Sequence, residues 1–302
     1  MDEKLDVDVL IVGGGPGGLS ALHWCADLGM TAILFEKGPE FGGQLLYTYN
    51  PISNYLGVEA RDGRELRDIF LRDLSDSGVE RMSGVEVVAA DLDRKVVTLA
   101  NGATYSGRSM ILATGVRRRE LGIPGERDFL GRGLLESGAK EKHTVTGKRV
   151  VIIGGGDAAL ENALMLAERA KKVTVVHRRE VFTARPDFVE PARKNERIEF
   201  VTNSTAAAIT GRGNVEAVVL KNGGILEADA VLIRIGVVPN TELFQGQASM
   251  DDAGYLLVDS SCLTSRPGVY AVGDVINRGA ATIAAAVGHG SIAVKSIRSR
   301  TA

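Results

Sequence analysis

The chain has 302 residues, a length that suits about two domains, and its 44% hydrophobic and 25% charged residues are ordinary for a globular protein. A formal net charge of −2 supplies no whole-molecule field for nucleic acid or an anionic membrane. The acidic start MDEKLDVDVL lacks the basic and apolar regions of a signal peptide, and no uninterrupted apolar run approaches the ~18 residues of a membrane span, so the expectation is a soluble, cytoplasmic protein.

The first predicted elements are a strand, a glycine run, a helix and a second strand, in VDVLIVGGGPGGLSALHWCADLGMTAILFEKG. Continuous Val, Ile and Leu in both strands suit a parallel sheet covered on both faces. EFGGQLLYTYNPISNYLG follows as a glycine- and tyrosine-rich loop, and GRELRDIFLRDLSDSG as a helix with Leu66, Ile69, Phe70 and Leu74 on one face. KVVTLANGATYSGRSMILATG predicts a hairpin turning at Asn101-Gly102 and running into a buried strand that ends at Ala113-Thr114-Gly115. VRRRELGIPGE is a linker.

A repeat comes next. KRVVIIGGGDAALENALMLAERAKKVTVVHRRE reproduces the first βαβ pattern, and two β-rich stretches, IEFVTNSTAAAITG and VEAVVLKNGGILEADAVLIRIG, complete this second unit. A further segment ends in Gly273-Asp274, and a small-residue-rich helix closes the chain. The expected fold is α/β, with two Rossmann-like dinucleotide-binding domains, the first interrupted by the second. The boundaries read from the sequence are 1–116 and 240–302 for the first domain and 117–239 for the inserted one.

Each repeat carries a dinucleotide fingerprint. Gly13, Gly15 and Gly18 give G-x-G-x-x-G, and Gly154, Gly156 and Ala159 its G-x-G-x-x-A form. The first position allows a tight turn, the second a close approach of pyrophosphate to the backbone, and the third helix–strand packing, with the phosphates at the helix N-terminus. One such motif is weak; two, each between a strand and a helix, are not.

The second strands of the two repeats end differently. About 20 residues beyond Gly13 stands Glu36, placed to bind the two ribose hydroxyls of an adenosine. The corresponding place in the second unit is His177, followed by Arg178 and Arg179. A 2′-phosphate repels a carboxylate and suits guanidinium forks, so these residues point to NADP; a solvated charge run is the bland alternative. Of the two cysteines, Cys25 and Cys262, neither belongs to a C-x-x-C or a metal-ligand cluster, and each is a small buried hydrophobe on this pattern.

From Val7 to Ile297 the chain resembles the low-molecular-weight thioredoxin reductase-like flavoproteins, through GGGPGG, FEKG, GGQL, ILATG, IPGE, GRG, GGGDAALENA, HRRE, IGVVPN and GVYAVGDV. The resemblance implies an FAD domain interrupted by an NADPH domain, usually in a homodimer. For FAD it implies Gly13, Gly15, Gly18 and Glu36 at the adenosine and pyrophosphate, Gln44 and Asn54 by the flavin, and Val85 at the adenine through its backbone, with Pro16, Gly17, Lys37 and Gly43 also in the FAD set. Ala113, Thr114, Gly115, Gly273, Asp274, Thr282 and Ile283 complete that set. For NADPH it implies Gly154, Gly156, Asp157, Ala158, Ala159, Glu161, His177, Arg178, Arg179, Ile235 and Gly236. No metal and no general acid or base is expected, because the flavin carries the chemistry.

Several departures from the family bear on function. The places of the family's redox C-x-x-C fall on Ser137 and Lys140, and neither side chain forms a thiolate, so the usual relay to thioredoxin is excluded. Gly17 stands where bacillithiol-disulfide reductase relatives carry a cysteine. The relatives without cysteines are ferredoxin/flavodoxin–NADP reductases, which usually add a C-terminal aromatic over the flavin; here no aromatic follows Tyr270. Thr183 replaces the family's third arginine, with Arg185 nearby as a substitute, and Arg234 stands where a small or apolar residue is usual, to meet a ligand phosphate or an interface carboxylate. His289, on the last helix, is a packing histidine or a neighbour of the flavin.

Three functions stay open at this point. The first is an FAD-dependent NADPH oxidoreductase passing electrons to ferredoxin, flavodoxin, a quinone or dioxygen. The second is a flavoprotein fed by ferredoxin, its second site holding another nucleotide or flavin. The third is a non-catalytic, redox-sensing flavoprotein.

Overall fold

The structure, a computed structural model, describes residues 6–74, 78–277 and 279–301. The acidic start as far as Leu5 and the Ser75–Ser77 end of the stretch read as an amphipathic helix lie outside the described residues. The chain divides into two compact units, Met1–Arg117 with Val238–Ala302, and Arg118–Val237.

The first unit begins with β1 (Asp6–Val12), α1 (Pro16–Asp27), β2 (Ala32–Glu36), a 3-10 helix at Gly43–Tyr47 and α2 (Gly63–Asp73). It continues with β3 (Glu80–Ser83), β4 (Val87–Asp91), β5 (Val96–Leu99), β6 (Thr104–Leu112) and β7 (Val116–Arg118). The second unit holds β8 (Leu134–Leu135), α3 (Gly138–Glu141), β9 (Arg149–Gly154), α4 (Asp157–Ala167), β10 (Lys172–Val176), α5 (Pro186–Lys194) and β11 (Ile198–Val201). Then come β12 (Ala206–Thr210), β13 (Ala217–Leu220), β14 (Ile225–Glu227), β15 (Ala230–Arg234) and β16 (Val237–Pro239), and the return to the first unit supplies β17 (Val269–Ala271) and α6 (Ile283–Thr301). The connecting strands β7 and β16 pair as a two-stranded sheet.

In the first unit the sheet order is β3-β2-β1-β6-β5-β4, with β17 also on β6. The nine-residue β6 is its pivot. Along one edge it runs parallel to β1; along the other its start pairs antiparallel with β5 and its end parallel with β17. The β5–β6 turn is the expected Asn-Gly one: Asn101 Oδ1 accepts the Ala103 N–H at 3.0 Å, and Gly102 has φ of 87°. The alternation of side chains along β1 feeds two cores. Val9 and Ile11 pack with Leu19, Leu22 and Ala293, while Leu10 and Val12 pack with Val97, Leu99 and Phe244 on the opposite face.

The second unit repeats the plan in an all-parallel sheet of order β11-β10-β9-β15-β8. Val150 and Ile152 of β9 face Leu160, Ala163 and Leu166, and Val151 and Ile153 face Ile209, Val218 and Val231. The antiparallel trio β12-β13-β14 supplies that second face.

The small residues of α6 allow it to lie close against α1. Ser20 Oγ donates to the Val287 carbonyl at 2.7 Å, and a Cβ on Gly290 would fall 2.6 Å from the Gly17 carbonyl and 2.8 Å from the Ala21 nitrogen. Among the described residues no helix is long and apolar enough to cross a membrane.

Because the nearest atoms facing Gly290 are two backbone atoms and the Ser20 Cβ, a methyl group there has no flexible side-chain end to displace. Gly290→Ala should lower the free energy of urea unfolding by about 1–3 kcal/mol, the usual cost of overpacking. An unchanged midpoint and slope would show that the α1–α6 contact is looser than described.

Candidate functional site

In the first unit, β1 ends at Val12 and the chain turns at Gly13, whose φ of +111° is a conformation that L side chains rarely adopt. A Cβ there would also fall 2.3 Å from the Ala113 carbonyl at the end of β6. Gly15 then caps α1 without any side-chain hydrogen bond, Pro16 opens the helix, and the first turn carries no acidic residue. The start of a twelve-residue helix is therefore uncapped by side chains and has no acidic residue in its own first turn, which fits a pyrophosphate.

Glu36, at the end of β2, is fixed by two backbone donors. Its Oε2 accepts the Gly14 N–H and its Oε1 the Gly38 N–H, each at 2.7 Å. A carboxylate has about four lone-pair sites, so capacity remains for ribose hydroxyls. The Val85 N–H is bonded to the Glu36 carbonyl at 2.9 Å, which brings the β3–β4 turn to the same edge.

Gly43 lies against the loop, since a Cβ on it would meet the Gly15 Cα at 2.9 Å. Gln44 donates to the Val116 carbonyl at 2.8 Å. Lys37 and Asn54 are exposed. Thr282 caps α6 through the Ala285 N–H at 3.1 Å, and Ile283 packs with Leu45, Ile52 and Leu66.

The turn Ala113-Thr114-Gly115 is held by a residue that did not stand out in the sequence as more than the end of IGVVPN. Asn240 donates through Nδ2 to the Thr114 carbonyl at 2.8 Å and through its backbone to the Gly115 carbonyl at 3.0 Å, and its own carbonyl accepts from Thr114 Oγ1 at 2.6 Å. Gly273 has φ of +76° and begins the short 3-10 helix that carries Asp274. Burial pushes the Asp274 carboxyl up, opposed by the charge of His289. Burial likewise pulls His289 down, and its Nδ1 is buried without a hydrogen-bond partner among the described residues.

In the second unit Gly154, with φ of +150°, takes the place of Gly13; a Cβ on it would lie 2.0 Å from the Arg234 carbonyl. Gly156 caps α4 without a side-chain bond, and Ala159 is buried while Ala158 and Glu161 are exposed. Asp157 accepts from the backbone N–H and the Nε of Arg185, both at 2.7 Å, and the Arg185 N–H and guanidinium hold its carboxyl below the usual range. The guanidinium of Arg185 also lies 4.9 Å from the centre of the Phe188 ring. Arg185, the neighbour expected to substitute for an arginine at Thr183, is thus paired with Asp157 through its backbone N–H and Nε. Thr183 itself folds back on the loop, donating through N and Oγ1 to the Gly155 carbonyl at 2.9 and 3.2 Å.

The row His177-Arg178-Arg179 divides in two. His177 is buried, stacks on Phe182 at 5.3 Å between ring centres, and would sit 2.3 Å from a Cβ on Gly155. Burial, with help from the two arginines, pulls its pKa below the ordinary value, so it is neutral at neutral pH. Arg178 and Arg179 are exposed, and neither guanidinium forms a hydrogen bond or ion pair among the described residues. A neutral spacer and two unpaired guanidinium forks fit a phosphate monoester at this strand end. Ile235 and Gly236 follow β15, with the Gly236 carbonyl accepting the Arg119 N–H at 3.0 Å.

Arg234 forms no ion pair with a carboxylate among the described residues; it donates to the backbone carbonyls of Ile233 and Glu136, at 2.8 and 3.0 Å. Ser137 and Lys140 lie at the start of α3, where Ser137 is buried and Lys140 is ion-paired with Glu136. Among the described residues no His, Cys, Asp or Glu group is arranged to hold a metal.

With this geometry the comparisons agree. The sequence profile of the pyridine nucleotide-disulphide oxidoreductase family matches residues 7–290, and the chain belongs to that family. It is 35% identical over 299 residues to the thioredoxin reductase of Peptoclostridium acidaminophilum, covering 95% of this chain and 94% of that protein. Among solved structures it is similar to Lactococcus lactis thioredoxin reductase, with a TM-score of 0.83, 32% identity and coverage of 97% and 98% of the two chains. The T. acidophilum thioredoxin reductase gives a TM-score of 0.81 and 31% identity, over 98% and 99%. The resemblance read from the motifs is therefore confirmed at the level of the family, whose cofactors are FAD and NADPH.

Both thiols lie in the apolar core of the first unit. Burial pushes Cys25 up to about 12 and Cys262 up to about 11. At pH 8 such thiols are ionised to at most about one part in a thousand. The native protein should therefore release almost no chromophore from an aromatic disulfide reagent over minutes, whereas both cysteines should react at once in guanidinium. Rapid labelling of the native protein would contradict the burial.

Proposed function

We propose that this protein is an FAD-dependent NADPH oxidoreductase that passes electrons onward without a protein dithiol. The observation that carries the proposal is the state of its only two thiols: Cys25 and Cys262 are both buried, and the sequence resemblance puts Ser137 and Lys140 at the places of the family's C-x-x-C. A thiol–disulfide relay needs an accessible thiolate and a partner thiol.

In this reading the first unit binds FAD, with the uncapped start of α1 on the pyrophosphate and Glu36 on the ribose. Gln44, Asn54, Thr114 and Asp274 line the rest of the cofactor. The second unit binds NADPH, with the start of α4 on its pyrophosphate and Arg178 and Arg179 on its 2′-phosphate. Held by these residues, FAD would supply the redox chemistry between the reduced nicotinamide and an acceptor. The acceptor class is a small redox protein such as ferredoxin or flavodoxin, or a quinone, and the enzyme works as a cytoplasmic homodimer.

One observation favours a second reading. With Thr183 in place of an arginine and Arg185 drawn to Asp157, the second site has fewer cations for a 2′-phosphate than the family pattern. In that case another nucleotide or a second flavin occupies it, and ferredoxin supplies the electrons.

Anaerobic titration with NADPH and NADH, followed by the visible absorption of the flavin, separates the two. The first reading predicts bleaching by NADPH at far lower concentration than by NADH. Arg178→Ala with Arg179→Ala should raise the NADPH requirement about 100-fold or more and leave NADH nearly unchanged, because each charged hydrogen bond contributes about 1.5–3 kcal/mol and about 1.4 kcal/mol is tenfold. Bleaching by dithionite but by neither nucleotide favours the second reading and overturns the first.

A further inference from the structure

Arg234 is a half-buried cation at the C-terminal end of β15, its Cα paired in register with Gly154 at the head of the second glycine loop. Its guanidinium donates to the Ile233 carbonyl at 2.8 Å and the Glu136 carbonyl at 3.0 Å. Arg118 sends a second guanidinium to the same Glu136 carbonyl. Neither arginine forms an ion pair among the described residues.

The carboxylates nearby are already engaged. Glu136 is paired with Lys140, and Glu141 Oε2 accepts the N–H groups of Glu136 and Ser137 at 2.7 and 2.9 Å. Two positive forks therefore share one neutral acceptor, with Glu136 and Glu141 near enough to act on Arg234 but in no direct ion pair with it, and a partly buried charge without a direct counter-ion is costly. Burial pulls the Arg234 guanidinium down to about 10, and the charge of Arg118 adds to the fall, against the opposing charges of Glu141 and Glu136. Each guanidinium has five N–H donors, and these bonds use one or two of them. The remaining donors are a planar array that matches the oxygens of a carboxylate or phosphate.

The position adds a second argument. In open parallel sheets ligands bind beyond the carboxyl ends of the strands. Arg178 and Arg179 follow β10, on one side of β9, while Arg234 ends β15 on the other. The two basic groups thus flank the glycine loop one strand away on either side, and the second pair adjoins the segment Ser137–Lys140.

We propose that Arg118 and Arg234 form an oxyanion site, separate from Arg178 and Arg179, in which one phosphate or carboxylate group bridges the two guanidiniums. The site does not depend on the identity of the electron acceptor or on NADPH being the reductant. Its oxyanion comes either from the backbone phosphates of a dinucleotide on the Gly154 loop or from a separate small anionic molecule.

The test is calorimetric titration of the purified holoprotein with inorganic phosphate in a phosphate-free, low-chloride buffer. Saturable binding is expected. Arg118→Ala, at an exposed position that should not affect folding, and Arg234→Ala should each weaken it about 10-fold or more. Arg234→Lys, which keeps the charge and loses the fork, should fall between wild type and Arg234→Ala, and Arg178→Ala with Arg179→Ala should leave the affinity within about two-fold. Under saturating NADP+, loss of phosphate binding assigns the oxyanion to the dinucleotide, and persistence assigns it to a separate ligand. No saturable binding to the wild type, or binding lost with Arg178 and Arg179 but indifferent to Arg118 and Arg234, overturns the site. Either failure would leave the flavin titrations untouched, so the two proposals fall separately.

Discussion

Much of this structure follows from one constraint: the chain must leave β1, and again β9, with backbone packed on backbone. At Gly13 and Gly154 a side chain would fall 2.3 and 2.0 Å from a carbonyl of the neighbouring strand. Both residues also take a positive φ, so each glycine is required for reach and for conformation. The tight turn aims the next helix back across the sheet and leaves its first N–H groups without a capping side chain. A fold that brings uncapped donors to the carboxyl edge of a parallel sheet has made an anion site before any charged residue is placed.

What differs between the two units is the chemistry at the end of the second strand. Glu36 is anchored by two backbone donors and turns an acceptor toward the edge. In the second unit the corresponding side chain, His177, is withdrawn under the loop as a neutral ring, and charge is presented by Arg178 and Arg179. The scaffold is reused and the polarity reversed. A carboxylate suits ribose hydroxyls and repels a 2′-phosphate, whereas unpaired guanidiniums do the opposite.

The backbone plan was legible in the sequence because glycine spacing, strand composition and the Asn101-Gly102 turn are local signals. The pairing of Arg185 with Asp157 was not, because the two are distant in the chain and meet only when the segment after β10 folds back on the glycine loop. Asn240 was hidden for the same reason: nothing in PN says that its side chain will hold Thr114. Arg234 stood out as unusual at its position, but its meeting with Arg118 on one carbonyl depends on the arrangement of β8, α3 and β15.

The proposed function rests on electrons stopping at the flavin until an acceptor arrives, with no dithiol between. Counting electrons tests that most directly. The FAD-loaded protein is titrated anaerobically with dithionite of known strength until the visible flavin band is fully bleached and excess reductant appears. Two electrons per FAD is the expected uptake. An uptake of four would mean that a redox-active disulfide shares the charge with the flavin, and Cys25 and Cys262 would have to be reconsidered as a pair.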